Sequence, residues 1–127
     1  MKPMKLFLAL ITSLTLSFAL TSNAFAGAKY TYNVYVGTTS FSGSLGDARN
    51  STDTYQQIGC YSTTPGTGYC YGRNSTGTSV GCSTSDAAML TSIKSLKGDS
   101  YIRVNFSSGA CTDIFVSNFS SFAPKQP

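Results

Sequence analysis

The sequence predicts a mainly β domain of the α+β type: a small antiparallel sheet or OB-like barrel with one amphipathic helix and two disulfides. Three observations carry that expectation. Short runs alternate apolar and polar residues with period two, a single stretch has helical spacing, and four cysteines occur in a chain of 127 residues with room for one domain.

The chain opens with an export signal. Lys2 and Lys5 supply a positive start, Leu6 to Leu20 is apolar, and Ala24-Phe25-Ala26 has the small-x-small pattern that places cleavage before Gly27. The apolar run, about 15 residues, is shorter than the roughly 20 needed for a helix to span a bilayer. Residues 1–26 are therefore read as a cleavable signal, 27–121 as the folded domain and 122–127 as a flexible tail. The lysine-led signal suits a bacterial exporter, and a secreted or periplasmic location follows, with no membrane insertion after processing.

Composition narrows the chemistry. In the segment from Gly27 onward, seven Lys and Arg stand against five Asp, leaving +2, too weak a charge for a nucleic-acid partner. The chain contains no His, no Trp and no Glu. Ser-His-Asp and Cys-His catalytic arrangements and His-ligated metal sites are thereby excluded, and no cofactor or metal is expected.

Cys60, Cys70, Cys82 and Cys111 are an even set in an exported small domain, which reads as two disulfides. Their spacing contains no C-x2-C pair of the kind zinc sites use. Turn signals at Thr64-Pro65-Gly66 and Ser75-Thr76-Gly77 centre two hairpins that set Cys70 opposite both Cys60 and Cys82. Cys70 then bonds one of those two, and the other bonds Cys111. Residue spacing leaves both schemes open.

Along the chain, Tyr30, Tyr32, Val34 and Val36 alternate with Thr31, Asn33 and Tyr35 as a half-buried strand. Thr38 to Leu45 continues it or forms a second strand after Gly37, and Gly46 to Asp53 reads as a polar loop. Gln56 to Ser62, Gly68 to Arg73 and Thr78 to Ser83 form a three-stranded meander. The helix follows, capped by Thr84 or Ser85, with Met89, Leu90, Ile93 and Leu96 on its apolar stripe and Gly98 as its stop. Ile102, Val104 and Phe106 mark another strand, Ser107-Ser108-Gly109 a turn, and Cys111 to Phe119 a returning strand. Ile114 and Val116 on one face of that strand and Phe115 and Phe119 on the other suggest cover on both sides. A helix between third and fourth strands is the order found in OB-type barrels.

The candidate binding surface is the outward face of the meander, where Tyr61, Tyr69, Tyr71 and Arg73 point away from the cysteines. With Cys70 centred, Tyr71 has Gly59 on one neighbouring strand and Gly81 on the other, while Tyr69 has Tyr61 and Ser83. Such a tyrosine can simply cover the bare backbone of a glycine. Read functionally, the rings with nearby Ser and Thr form a platform for a sugar, peptide or protein. The leading expectation is a non-catalytic binding domain with an extracellular ligand or protein partner. The alternatives are a self-associating structural subunit that pairs through strand edges and a hydrolase using Asp47 and Asp53. Arg103 and Asp113, on adjacent strands, read as a surface ion pair. Four Asn-x-Ser/Thr triplets begin at Asn50, Asn74, Asn105 and Asn118 and matter only in a glycosylating host.

Overall fold

A computed structural model describes residues 27–124. The signal read in residues 1–26 and the tail residues 125–127 lie outside the described residues. The elements are β1 (Tyr35–Val36), β2 (Ser40–Ser44), α1 (Leu45–Asn50), β3 (Gln57–Thr63), β4 (Thr67–Arg73), β5 (Ser79–Thr84), α2 (Ala87–Lys94), β6 (Tyr101–Ser107) and β7 (Ala110–Ser117). They form one seven-stranded sheet in the order β1-β2-β6-β7-β5-β4-β3. Every neighbouring pair is antiparallel except β5 and β7, which run parallel through the single register pair Ser83↔Ala110. The class is mainly β, as the alternation predicts. The sheet is mixed rather than purely antiparallel, and its seven-strand order is not that of a five-stranded OB barrel.

The meander has the register its turns dictate. Cys60 pairs with Cys70 across β3 and β4, and Cys70 with Cys82 across β4 and β5. The covalent bonds are Cys60–Cys70 and Cys82–Cys111, so one of the two open schemes is the one adopted. Cys82–Cys111 ties β5 to β7 where their backbone pairing is thinnest. The β6–β7 hairpin turns at Ser108 and Gly109, both at positive φ (49° and 77°), the two-residue geometry that suits the right-handed twist of the strands.

The sheet curls so that β1 and β2 approach β3 and β4 across the interior. Phe41 of β2 lies fully buried against Gly72 of β4, and Ile102, Val104, Cys70 and Cys82 complete the most buried layer. Helix α2 packs Ile93 against Gly68, with Met89, Leu90 and Leu96 partly buried around it. Its N-cap is Asp86, whose carboxylate accepts from the Met89 N–H at 2.9 Å, while Thr84 Oγ1 accepts from Asp86 N. Thr84 therefore buttresses the cap instead of being it. The helix also stops at Lys94, ahead of Gly98, because Ser95 turns the chain there with its hydroxyl on the Ser92 carbonyl.

Four further expectations are corrected. The stretch Gly46–Asp53 is not all loop: α1 starts at the Ser44 cap, whose hydroxyl accepts from Asp47 N, and the six-residue helix is too short to show a periodic stripe. Tyr30 to Val36 alternates but is mostly not a strand, since two of its backbone donors go to side chains and Tyr30 N–H goes to the Ser121 carbonyl. Tyr32 N–H donates to Asp47 Oδ2 and Val34 N–H to Gln56 Oε1, both at 2.8 Å. Phe122, assigned to the tail, is buried (8% exposed) and bridges to Tyr30. Strand β7 is covered on one side only and ends at Ser117 rather than Phe119: Ile114 is buried, whereas Phe115 faces solvent, as does Phe119 beyond the strand. Among the described residues, no helix is long and apolar enough to cross a membrane.

Candidate functional site: two aromatic faces

On the meander, Tyr61 and Tyr69 sit opposite each other on β3 and β4, with ring centroids 5.6 Å apart and a 40° tilt. Tyr61 is 60% exposed. The phenol of Tyr69 lies across Gly81, where a Cβ would fall 2.6 Å from Cζ. The ring covering a glycine is thus the diagonal neighbour Tyr69 rather than Tyr71, and the space above Gly59 is open. Tyr71 is half-buried beside them. Arg73 does not join this group closely, since its guanidinium carbon sits 5.1 Å above the ring of Tyr55. Of the four residues singled out on the meander, Tyr61 and Tyr69 form a ring pair with Tyr71 adjacent, and Arg73 lies apart over Tyr55.

A second aromatic surface brings together segments that are far apart in sequence. Tyr30 and Tyr32 come from the N-terminal segment, Tyr101 from β6, Phe115 from β7, and Phe119 and Phe122 from the chain after β7. Tyr32 contacts Tyr101 at 4.9 Å and Phe122 edge-on at 5.7 Å, and Tyr101 lies 6.0 Å from Phe122. Tyr30 flanks one end, 6.4 Å from Tyr32, and Phe119 the other, 6.0 Å from Phe122. Each such ring pair contributes about 0.5–1.5 kcal/mol beyond the area it buries. These contacts pack Tyr32, Tyr101 and Phe122 against one another, with Phe122 buried and Tyr32 still 39% exposed, and leave the flanking rings in water.

Together the rings line a cleft of about 470 Å³, with Ser117 and Ser121 adding hydroxyls. Tyr30 is 56% exposed, Phe115 47% and Phe119 65%. Arg103 stands over the Phe115 ring at 5.5 Å, so its partner is that ring and not Asp113. Contiguous exposed aromatic surface of this kind is uncommon on a monomer away from interaction sites. Sequence reasoning registered Phe115 and Phe119 but assigned them a cover, and it had no signal that Tyr30, Tyr101 and Phe122 converge.

The two carboxylates considered for hydrolysis both carry structural hydrogen bonds. Asp47 is buried, receiving the Tyr32 N–H. Asp53 accepts from Tyr55 N, Gln56 N and Gln56 Nε2, each at 2.8 Å, which holds its pKa below the ordinary carboxylate value. Among the described residues, no cluster of three or more Cys, Asp or Glu is arranged to hold a metal ion. No family model, curated protein or solved structure matches this chain.

Proposed function

We propose that this protein is an exported, non-catalytic binding module that takes a glycan on the aromatic cleft formed by Tyr30, Tyr32, Tyr101, Phe115, Phe119 and Phe122. The observation that carries the reading is the pairing of a packed aromatic floor with flanking rings left in water. Sugars present apolar C–H faces and hydroxyl edges. Fixed rings receive the former, while phenol and serine hydroxyls around them receive the latter. Two disulfides fit an oxidising extracellular compartment, where such ligands are met.

The test is affinity electrophoresis and calorimetry of the segment from Gly27 onward against a panel of soluble neutral polysaccharides. Phe119→Ala and Tyr30→Ala remove exposed rings, so folding is expected to survive. Each should weaken binding about 3–10-fold, the value of one stacking contact. A Tyr61→Ala variant reports on the meander face. If Tyr61→Ala abolishes binding and Phe119→Ala leaves it unchanged, the site belongs to the meander. If no glycan is retained, the reading fails.

The outer edge of β3 favours a second reading, self-association. Gln57–Thr63 is an edge strand with no charge and no proline within it, and Tyr61–Thr63 is exposed. Growth of larger species with concentration in size-exclusion chromatography would support that reading over the first.

A further inference from the structure

A second cleft, of about 410 Å³, lies where α1 ends against the start of β3 and the end of β4. The chain contains three arginines, and two of them, Arg49 and Arg73, line it, together with Tyr55, Gln57 and Thr54 over an apolar floor that includes Ile58. We propose that this cleft binds the carboxylate of an acidic sugar residue between Arg49 and Arg73.

The charge is real and uncompensated. Among the described residues neither guanidinium has an acidic partner. Asp53, four residues after Arg49, is occupied by Tyr55 and Gln56 donors. Asp47 is turned to the Tyr32 N–H, and Asp86 caps α2. Guanidinium groups carry forked donors that match a carboxylate, and such paired, charge-assisted hydrogen bonds are stronger than neutral ones.

The site is also partly organised in advance. Arg73 rests over Tyr55, which restricts its rotamers before any ligand arrives. Arg49 occupies the last turn of α1, where a cation complements the helix end. The wall behind them is stiff, because the Gln56 side chain is held by both Val34 N and Asp53. Gln57 and Thr54 add an amide and a hydroxyl suited to a polyhydroxylated ligand more than to an apolar peptide side chain. This inference stands on a different surface from the aromatic cleft and does not depend on it.

The test uses trigalacturonate, its methyl ester and an acidic peptide of equal charge, each titrated into the protein from Gly27 onward. Trigalacturonate is expected to bind, with affinity falling as salt rises, and the ester to bind at least tenfold more weakly. Arg49→Gln and Arg73→Gln should each lower trigalacturonate affinity about tenfold. Arg73→Lys, which keeps the charge but loses the fork, should fall between. Arg103→Gln should leave it unchanged, and titration of Phe119→Ala with neutral glycans reads the aromatic cleft separately. The proposal is overturned if the ester binds equally, if Arg103→Gln costs as much as Arg49→Gln, or if the acidic peptide binds as tightly as trigalacturonate.

Discussion

Gly72 and Gly59 lie in the same meander, yet a methyl group at each meets opposite surroundings. At Gly72 a Cβ would fall 2.6 Å from Phe41, a ring with no exposed surface and no room to retreat. Gly72→Ala should therefore destabilise the protein by about 1–3 kcal/mol, the cost of overpacking a closed core. At Gly59 a Cβ meets nothing within 4 Å, and alanine there restricts the unfolded chain, so Gly59→Ala should be neutral or slightly stabilising. Urea unfolding of the two variants checks the contrast, and equal losses would mean that Phe41 is not seated as described. Asp53 offers a pH-dependent counterpart. Hydrogen bonds from the Gln56 side chain, then from the backbone N–H groups of Gln56 and Tyr55, hold its pKa below the ordinary 3.8. A depressed folded pKa contributes stability that is present above the ordinary value and lost as pH falls through the lower folded one. The Tm gap between the native protein and Asp53→Asn should thus persist at neutral pH and close in strong acid. A gap that stays constant down to acid pH would show that the carboxylate charge is not what the loop uses.

At the level of elements, the meander was legible because two turn signals and period-two alternation agree, and a shift of one residue would place the cysteines on the tyrosine face. The order of the strands was not legible in the same way. The parallel contact of β5 with β7 rests on one register pair and a disulfide 29 residues apart, and local pattern says nothing about such closure. Helix α1 hid because a Ser44 cap and Asp47 three residues later read equally well as a polar loop. The aromatic cleft hid because its rings come from both ends of the domain and from β6 and β7. The two cross-links should differ in weight accordingly. Loop-closure entropy assigns about 2.7 kcal/mol to Cys60–Cys70, spanning 10 residues, and about 3.6 kcal/mol to Cys82–Cys111, spanning 29. The second also secures the weakest seam in the sheet, so the Cys82→Ala/Cys111→Ala pair should lose more stability than Cys60→Ala/Cys70→Ala. Equilibrium denaturation of both double variants measures the difference, and the reverse order would mean that β5 and β7 hold together without their bond.

For the molecule as a whole, the question is which forces keep a domain this small folded. Among the described residues no ion pair joins a Lys or Arg to an Asp, although the segment from Gly27 onward carries twelve such charges, seven basic and five acidic. The buried set is instead apolar and sulfur-rich: Phe41, Ile102, Val104, Cys70 and Cys82 are essentially inaccessible, and the buried carboxylate Asp47 is satisfied by a backbone N–H. Salt screens exposed charges within about 10 Å at about 0.1 M and has little hold on packed apolar side chains or covalent bonds. The Tm should therefore stay nearly constant as NaCl is raised from about 0.05 to about 0.5 M, a range that would erode any surface electrostatic contribution. Any drift should be slightly upward, because screening relieves repulsion among cations in excess. Reduction should act in the opposite sense and far more strongly: losing both cross-links removes loop-closure terms that together rival the typical 5–15 kcal/mol net stability of a whole domain. Calorimetry with and without a thiol reductant at each salt concentration tests both halves together. If salt lowers the Tm by many degrees, or if the reduced protein melts as late as the oxidised one, then charge pairing rather than cross-linked apolar packing holds the fold.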